Sequence, residues 1–299
     1  MVFENTHLWA ANTIRKQIKN SILREIISTN IDHYHLGAIF PDTLYYSDDN
    51  KIREIANFLH GDTKTPTNKI VFDVLDRIKR TQNDTNLAFI CGYLTHCAID
   101  IVFHPVVFYF SGYKTTSRPQ EQARSSYLHW HYETFIDKRF NRTFFLHQLI
   151  KPAVANNLTI APILKLSKPL IRDCLAKQIS YFRRIHSRLF YNVYRVLAKI
   201  RWIEKKYIAG FYANLDVDQT RLAEKIEYHD IISGGTKEAT LDGLMAEAIE
   251  MGAKMVECAY DYYAGKISRQ ACERTVAGNN LDTGQIGKTK ADIKFSIDH

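Results

Sequence analysis

The stretch Gly92-Tyr93-Leu94-Thr95-His96-Cys97-Ala98-Ile99-Asp100-Ile101-Val102-Phe103-His104-Pro105 decides the fold of this chain. It lies inside a longer apolar segment, Asn83 to Phe110, that shows no turn cluster and is too long for a strand. A helix that is apolar on every side is buried on every side. The richest part, Ala98 to Phe110, is thirteen residues and already contains Asp100 and His104. A membrane span needs about 20 apolar residues, so this segment reads as one or two buried helices of a globular protein and not as a transmembrane segment. A bend is expected at His104-Pro105, where the proline removes a helix hydrogen bond.

Outward from this segment the period stays helical. Thr6 is placed to cap a helix through Ile14, Ile18, Ile22 and Ile26. An aromatic loop is expected from Asp32 to Asn50, with Pro41 and Asp42 at its centre. Short helices are predicted over Lys51 to Leu59, stopped at Gly61, and over Lys69 to Arg80. A helix carrying His129, Glu133 and Asp137 follows the polar loop Ser111 to Arg118, with further helices over Phe144 to Ala155 and Ala161 to Leu175. Gln178 to Tyr207 reads as one long amphipathic helix, its apolar stripe running Phe182, Ile185, Leu189, Val193, Val196, Ile200, Ile203 and Tyr207. Leu241 to Tyr263 is the last strong helix, and the tail from about 278 reads as irregular. The expected fold is all-α: a single multi-helix domain with a metal cluster in a cleft between helices. Residues 1–140 form its metal-binding core and 141–299 a helical continuation packed on it.

Bulk properties narrow the setting. Five scattered cysteines form no CxxC pair, which points to free thiols in a reducing compartment. Met1 to Asn12 shows no cationic start followed by an apolar run, so no secretory signal is visible and a cytoplasmic location is expected, with delivery by a non-classical route left open. The net charge of +8 is concentrated between Tyr181 and Tyr207, where eight Lys or Arg residues face one acid, Glu204.

Twelve histidines are present, and four of them fall between His96 and His131. His96, Asp100 and His104 are spaced four and four, so they project from roughly one face of the buried helix. Buried imidazole and carboxylate need partners, and a metal ion satisfies all three at once. Separate hydrogen bonds in the core would be the plainer account. His129 and Glu133 repeat the four-residue spacing on another helix, although such pairs are common on exposed helices. His7, Asp42 and His60 lie near helix ends or in loops, where a cap, a turn or a helix-terminal histidine is the ordinary role.

In combination these residues resemble the zinc-dependent phospholipase C family. Asn5-Thr6-His7-Leu8-Trp9-Ala10-Ala11-Asn12 looks like its N-terminal histidine stretch, and Gly37-Ala38-Ile39-Phe40-Pro41-Asp42 is similar to its G-x-x-x-P-D loop. Leu59-His60-Gly61 follows, then His96, Asp100 and His104-Pro105, then His129 with Tyr132-Glu133-Thr134-Phe135-Ile136-Asp137. The matches keep the family's order from residue 5 to 137. The resemblance implies two or three zinc ions in a cleft between helices. Asp42, His60, His96 and Asp100 would hold one, His7 and Asp100 a second, and His104, His129 and Glu133 a third. It further implies hydrolysis of a phosphodiester, a phospholipid first of all, with Asp42 as ligand and candidate general base and Glu4, near the entrance, as the weaker candidate. The secreted relatives begin with a tryptophan that completes the second site, whereas this chain begins Met1-Val2-Phe3. That site would be vacant, or completed by the Met1 terminus or by Glu4.

Arg184, Arg188, Arg195, Lys199 and Lys206 line one side of the long amphipathic helix, with Trp202 among them. Such a stripe suits an anionic membrane surface or, less well here, nucleic acid, while a solvated face is the plain alternative. Two other functions stay open. One is a zinc nuclease of related fold, and the other is a non-catalytic binding protein that keeps a structural zinc.

Overall fold

The computed structural model describes residues 4–62, 65–112, 118–141, 143–216 and 225–297. Its centre is a helix, α6 (Asp84–Ser111), whose residues are nearly all buried. Asn83 starts it by accepting a hydrogen bond from the Asn86 amide. Although α6 is long and apolar enough to cross a bilayer, its apolar window lies wholly inside the protein. Around it stand α1 (Glu4–Gln17), α2 (Ser21–Thr29), α3 (Ile31–Thr43), α5 (Asn68–Thr81) and α7 (Pro119–Phe140), with α4 (Asn50–His60) against α3. The later chain adds α8 (Leu146–Leu149), α9 (Ile160–Ile163), α10 (Lys168–Arg184), α11 (Arg188–Lys199), α12 (Lys206–Ala209), α13 (Leu241–Tyr263) and α14 (Arg269–Glu273). Among the described residues the fold is all-α apart from one small antiparallel hairpin, β1 (Lys225–His229) with β2 (Thr236–Thr240), paired Lys225 to Thr240.

Several expectations change, among them the predicted helices Phe144–Ala155 and Ala161–Leu175, which are broken into the short α8, a 3-10 turn at Pro152–Asn157, α9 and the start of α10. The predicted Asp32–Asn50 loop is mostly helix α3, because this segment is buried on all sides and tertiary packing outweighs the Gly37 and Pro41 breakers. Thr6 lies inside α1 and does not cap it, and the first predicted helix divides where the Asn20 side chain caps α2. The hairpin is not predicted, since β1 alternates over only five residues and its partner β2 is exposed along most of its length. The long Gln178–Tyr207 helix is three pieces. Ser187 caps α11 after a break at Ile185, and Arg201 takes a left-handed conformation beyond its end.

Helices α3 and α6 meet backbone to backbone. A Cβ on Gly37 would stand 1.9 Å from the Phe89 carbonyl oxygen, and one on Gly92 would stand 1.9 Å from that of Tyr34. No side chain fits either place. This contact sets the register between the two helices, so that Asp42, five residues after Gly37, comes to the same cluster as His96, four residues after Gly92. Gly92→Ala must therefore separate the helices, and we expect a stability loss of about 3 kcal/mol. Denaturant unfolding checks it, and a variant that unfolds with the wild type would mean that this contact does not hold the helices in register.

Candidate metal centre

Four elements bring the ionisable groups together. Helix α1 contributes His7, α3 contributes Asp42, α4 ends on His60, and α6 contributes His96, Asp100 and His104. All six are essentially out of water. Asp100 is the hub. Its Oδ2 lies 2.9 Å from His96 Nε2 and 3.6 Å from His60 Nε2, and its Oδ1 lies 3.4 Å from His7 Nε2 and 3.7 Å from His104 Nε2. Asp42 Oδ1 stands 3.2 Å from His60 Nε2, and the His7 and His96 rings stack with centroids 4.0 Å apart. On α7, His129 Nε2 is 2.9 Å from Glu133 Oε1, which faces His104 Nε2 at 3.8 Å.

Backbone carbonyls determine what these rings can do. His96 Nδ1 lies 3.0 Å from the Ala38 carbonyl, His60 Nδ1 2.8 Å from that of Ala56, and His104 Nδ1 2.8 Å from that of Leu281. A carbonyl only accepts, so each Nδ1 carries the proton and donates. Each Nε2 is then left to present a lone pair toward carboxylate oxygens, a repulsive arrangement unless a second proton or a cation intervenes. The Nε2 atoms of His60, His96 and His104, and both oxygens of Asp42 and of Asp100, are buried without a hydrogen bond. Two ligands at zinc bond lengths and a tetrahedral angle stand roughly 3.4 Å apart. The 2.9–3.8 Å separations here bracket that distance, so the donors fit zinc in kind, tautomer and spacing.

Among the described residues the ligand atoms form three groups, each within 4.8 Å: Asp42 with His60 and His96, His7 with His96 and Asp100, and His104 with His129 and Glu133. His96 is common to two of them. None includes Glu4, and the Met1 terminus lies outside the described residues.

Burial and neighbouring charge set the protonation states. Burial pushes His7 down to about 3 and His104 down to about 4, and holds His129 well below its ordinary value. Burial opposes charge on His60 too, but its contact with Asp42 raises it to about 9. Against the same burial, His96 and His60 keep Asp42 low, and His104 and His96 keep Asp100 well below the carboxylate range. Glu4 is buried, behind Tyr46 of the cavity wall. Desolvation and the Asp42 charge raise it to about 8, while Tyr46 Oη–H and Gln178 Nε2–H donate to its Oε1 at 3.0 and 2.8 Å.

Several contributors were not foreseen. Asp137 is a clamp on α1, accepting hydrogen bonds from Thr6 Oγ1 at 2.7 Å, Asn5 Nδ2 at 3.2 Å and the Tyr212 hydroxyl. It thereby anchors the helix that carries His7. The tail expected to be irregular reaches the cluster. Leu281 orients His104, its amide donates to the His60 carbonyl at 2.9 Å, and Asp282 Oδ1 lies 3.7 Å from His104 Nδ1. Lys290 joins Asp282 at 3.3 Å and Asp62 at 3.0 Å. The one legible sign was Asn280, whose carboxamide accepts from the amides two and three residues on, as turn asparagines do.

Beside the cluster a cavity of about 710 Å³ is lined by Tyr45, Tyr46, His129, Trp130, Tyr207 and Lys290, among others. The basic residues named from sequence do not share its wall. Lys206 lines it, paired with Glu204 at 2.8 Å, whereas Arg188, Arg195 and Lys199 lie on α11 and Arg184 ends α10.

Fold and site define a mainly helical protein with buried His and carboxylate groups that could hold metal and a cleft beside them. The zinc dependent phospholipase C family matches residues 6–189, and the chain belongs to that family. No curated protein and no solved structure matches it.

In zinc-free protein the His60 pairing with Asp42 has a simple pH signature. With the ring raised to about 9 in the fold and near 6.5 unfolded, its stabilisation is complete below about pH 6.5 and lost as pH rises through about 9. We expect the Tm of chelator-treated protein to fall across that window. The zinc-loaded Tm should hold there, since metal replaces the proton on Nε2. Parallel curves would contradict this assignment of His60.

Proposed function

We propose that this protein is a zinc-dependent phosphodiester hydrolase that cleaves a phospholipid on the glycerol side of its phosphate and releases a phosphorylated headgroup. The observation that carries the reading is the buried Asp100 carboxylate, faced by four imidazole Nε2 atoms, with neither its oxygens nor those nitrogens in a hydrogen bond. Burying so many ionisable groups together costs stability unless cations compensate them, and this is what supports a polynuclear zinc centre. The adjoining cavity has the size of a small-molecule site.

Zinc, when bound, supplies positive charge that polarises the phosphate and makes water a nucleophile near neutral pH. The chain's own residues do the rest. Asp42, kept ionised by His96 and His60, is the base that receives the proton of the attacking water. As the water oxygen bonds to phosphorus, the bond from phosphorus to the glycerol oxygen breaks, and the leaving alkoxide takes up the proton. Glu4, raised to about 8, holds its own proton at neutral pH, so the two acids divide into a charged base and a neutral neighbour. Tyr45, whose ring lies 5.3 Å from that of His60, walls the cluster from bulk water on the cavity side. Lys290, held at the cavity wall by Asp62 and Asp282, places positive charge where an anionic ester would lie.

Elemental analysis of wild type and Asp100→Ala, with hydrolysis of phosphatidylcholine and of a soluble chromogenic phosphodiester on the same samples, tests this. Wild type is expected to hold two or three zinc ions and to turn over both esters. Asp100→Ala should lose most of the zinc and activity on the order of a thousandfold. Asp42→Asn, which keeps an oxygen ligand but cannot take the proton, should cost about 10²–10⁴ in kcat. Hydrolysis of single-stranded nucleic acid in place of lipid would move the substrate to the nuclease class. Wild type that is isolated folded and free of zinc without any chelator treatment would remove the reading altogether.

A further inference from the structure

Helix α11 turns its most apolar face away from the protein. It rests on the body through Tyr191 and Tyr194, packed on Phe211 in a small separate cluster. At 100° per residue, Leu189, Val193, Val196 and Ile200 fall on one line nearly opposite those tyrosines. That line is in solvent: Leu189 is 72% exposed, Val196 57%, and Trp202 just beyond the helix 79%. Isolated exposed leucines are ordinary, but a continuous stripe of this kind marks a contact surface.

Charge identifies what the stripe contacts. Arg188, Arg195 and Lys199 fall together on one flank, between the apolar line and the buried face, and all three are exposed. Arg184 precedes them at the end of α10, and Arg201 and Lys205 follow. An amphipathic helix with an apolar face, a basic flank and a terminal tryptophan is built to lie in the headgroup layer of an anionic bilayer. A second copy of this chain would bring the same cations into the contact and repel. The segment is also continuous with the cleft, for Glu204, Lys206 and Tyr207, a few residues on, line its cavity.

We infer that α11 is the element by which this protein docks on an anionic phospholipid surface. Leu189, Val193, Val196, Ile200 and Trp202 enter the acyl boundary while Arg188, Arg195 and Lys199 engage the headgroups. The inference rests on the reading of the cleft as a phospholipid site, because docking there brings the cleft mouth to the bilayer. It names the surface on which that site works, and it differs from a simple basic stripe in making the apolar side chains the main contact.

The experiment is sedimentation of the zinc-loaded, full-length protein with vesicles of phosphatidylcholine alone or mixed with phosphatidylglycerol. Tryptophan emission is followed in parallel for wild type and Trp202→Phe. Wild type should bind the anionic vesicles, with a blue shift that Trp202→Phe lacks. The exposed-face variant Leu189→Ser/Val196→Ser should bind at least about tenfold more weakly, with an unchanged melting temperature and unchanged hydrolysis of the soluble diester. Arg195→Glu/Lys199→Glu should lose the preference for anionic over neutral vesicles. Absence of wild-type binding, or a serine variant that binds as wild type does, would overturn the inference. So would a wild-type dimer that the serine variant abolishes. Vesicle binding with no hydrolysis of either ester would instead overturn the hydrolase reading and leave the docking helix standing. Hydrolysis of the soluble ester without vesicle binding would do the reverse.

Discussion

Asp100 has no access to water and faces four imidazoles, so its charge must be compensated by whatever lies between them. A carboxylate in that position is unfavourable alone. Each ring that faces it has four possible states: doubly protonated, neutral with Nε2–H donated to the carboxylate, neutral with its lone pair opposed to the carboxylate, or bound to a cation. The surrounding chain removes some of these options. Carbonyls of Ala38, Ala56 and Leu281 take the Nδ1 protons of His96, His60 and His104, which orients the other nitrogen inward. Much of the molecule can be understood as the framework that holds those carbonyls in place.

That framework depends on close approach. The contact of Gly37 with Phe89 and of Gly92 with Tyr34 lets α3 and α6 lie against one another with no side chain between. It places the Ala38 carbonyl against the His96 ring. The C-terminal tail uses the same means at a second point. Pro105 has no amide proton to offer the Ile101 carbonyl, and Gly284 packs against that oxygen so closely that a Cβ there would stand 2.5 Å away. The tail is thus fixed to α6 beside the centre and delivers Leu281, Asp282 and Lys290 to it. Helix α1 is tied by a different device, the hydrogen bonds from Asn5 and Thr6 to Asp137.

Outside this rigid core the energetic logic changes. Helix α11 is held by few buried side chains and leaves an apolar line in water. The hydrophobic effect that assembles the core is therefore unspent on that face, and a bilayer is the solvent in which it would be satisfied. The centre stays buried and polar while the face proposed for docking stays exposed and apolar, so the two proposed halves of the function fall on separate elements.

The sequence by itself determined the helical class, the buried helical segment from 83 to 110 though not that it is a single helix, the ends of Leu241–Tyr263, and the face shared by His96, Asp100 and His104, because each of these follows from local spacing. Four-residue steps place His96, Asp100 and His104 on one face whatever surrounds them. Motif order linked them to His7, Asp42, His60, His129 and Glu133, residues that no local rule connects. Local reading failed wherever the environment overrode it. The segment around Asp42 has the composition of a loop, yet it is helical because α6 and its neighbours bury it completely. The apolar stripe of α11 has the pattern of a core face, yet it lies in solvent, since a period records which residues share a side and not what that side meets. The approach of the tail to His104 spans 177 residues of sequence. Only the tertiary structure decided these matters, because they depend on which distant surfaces come into contact.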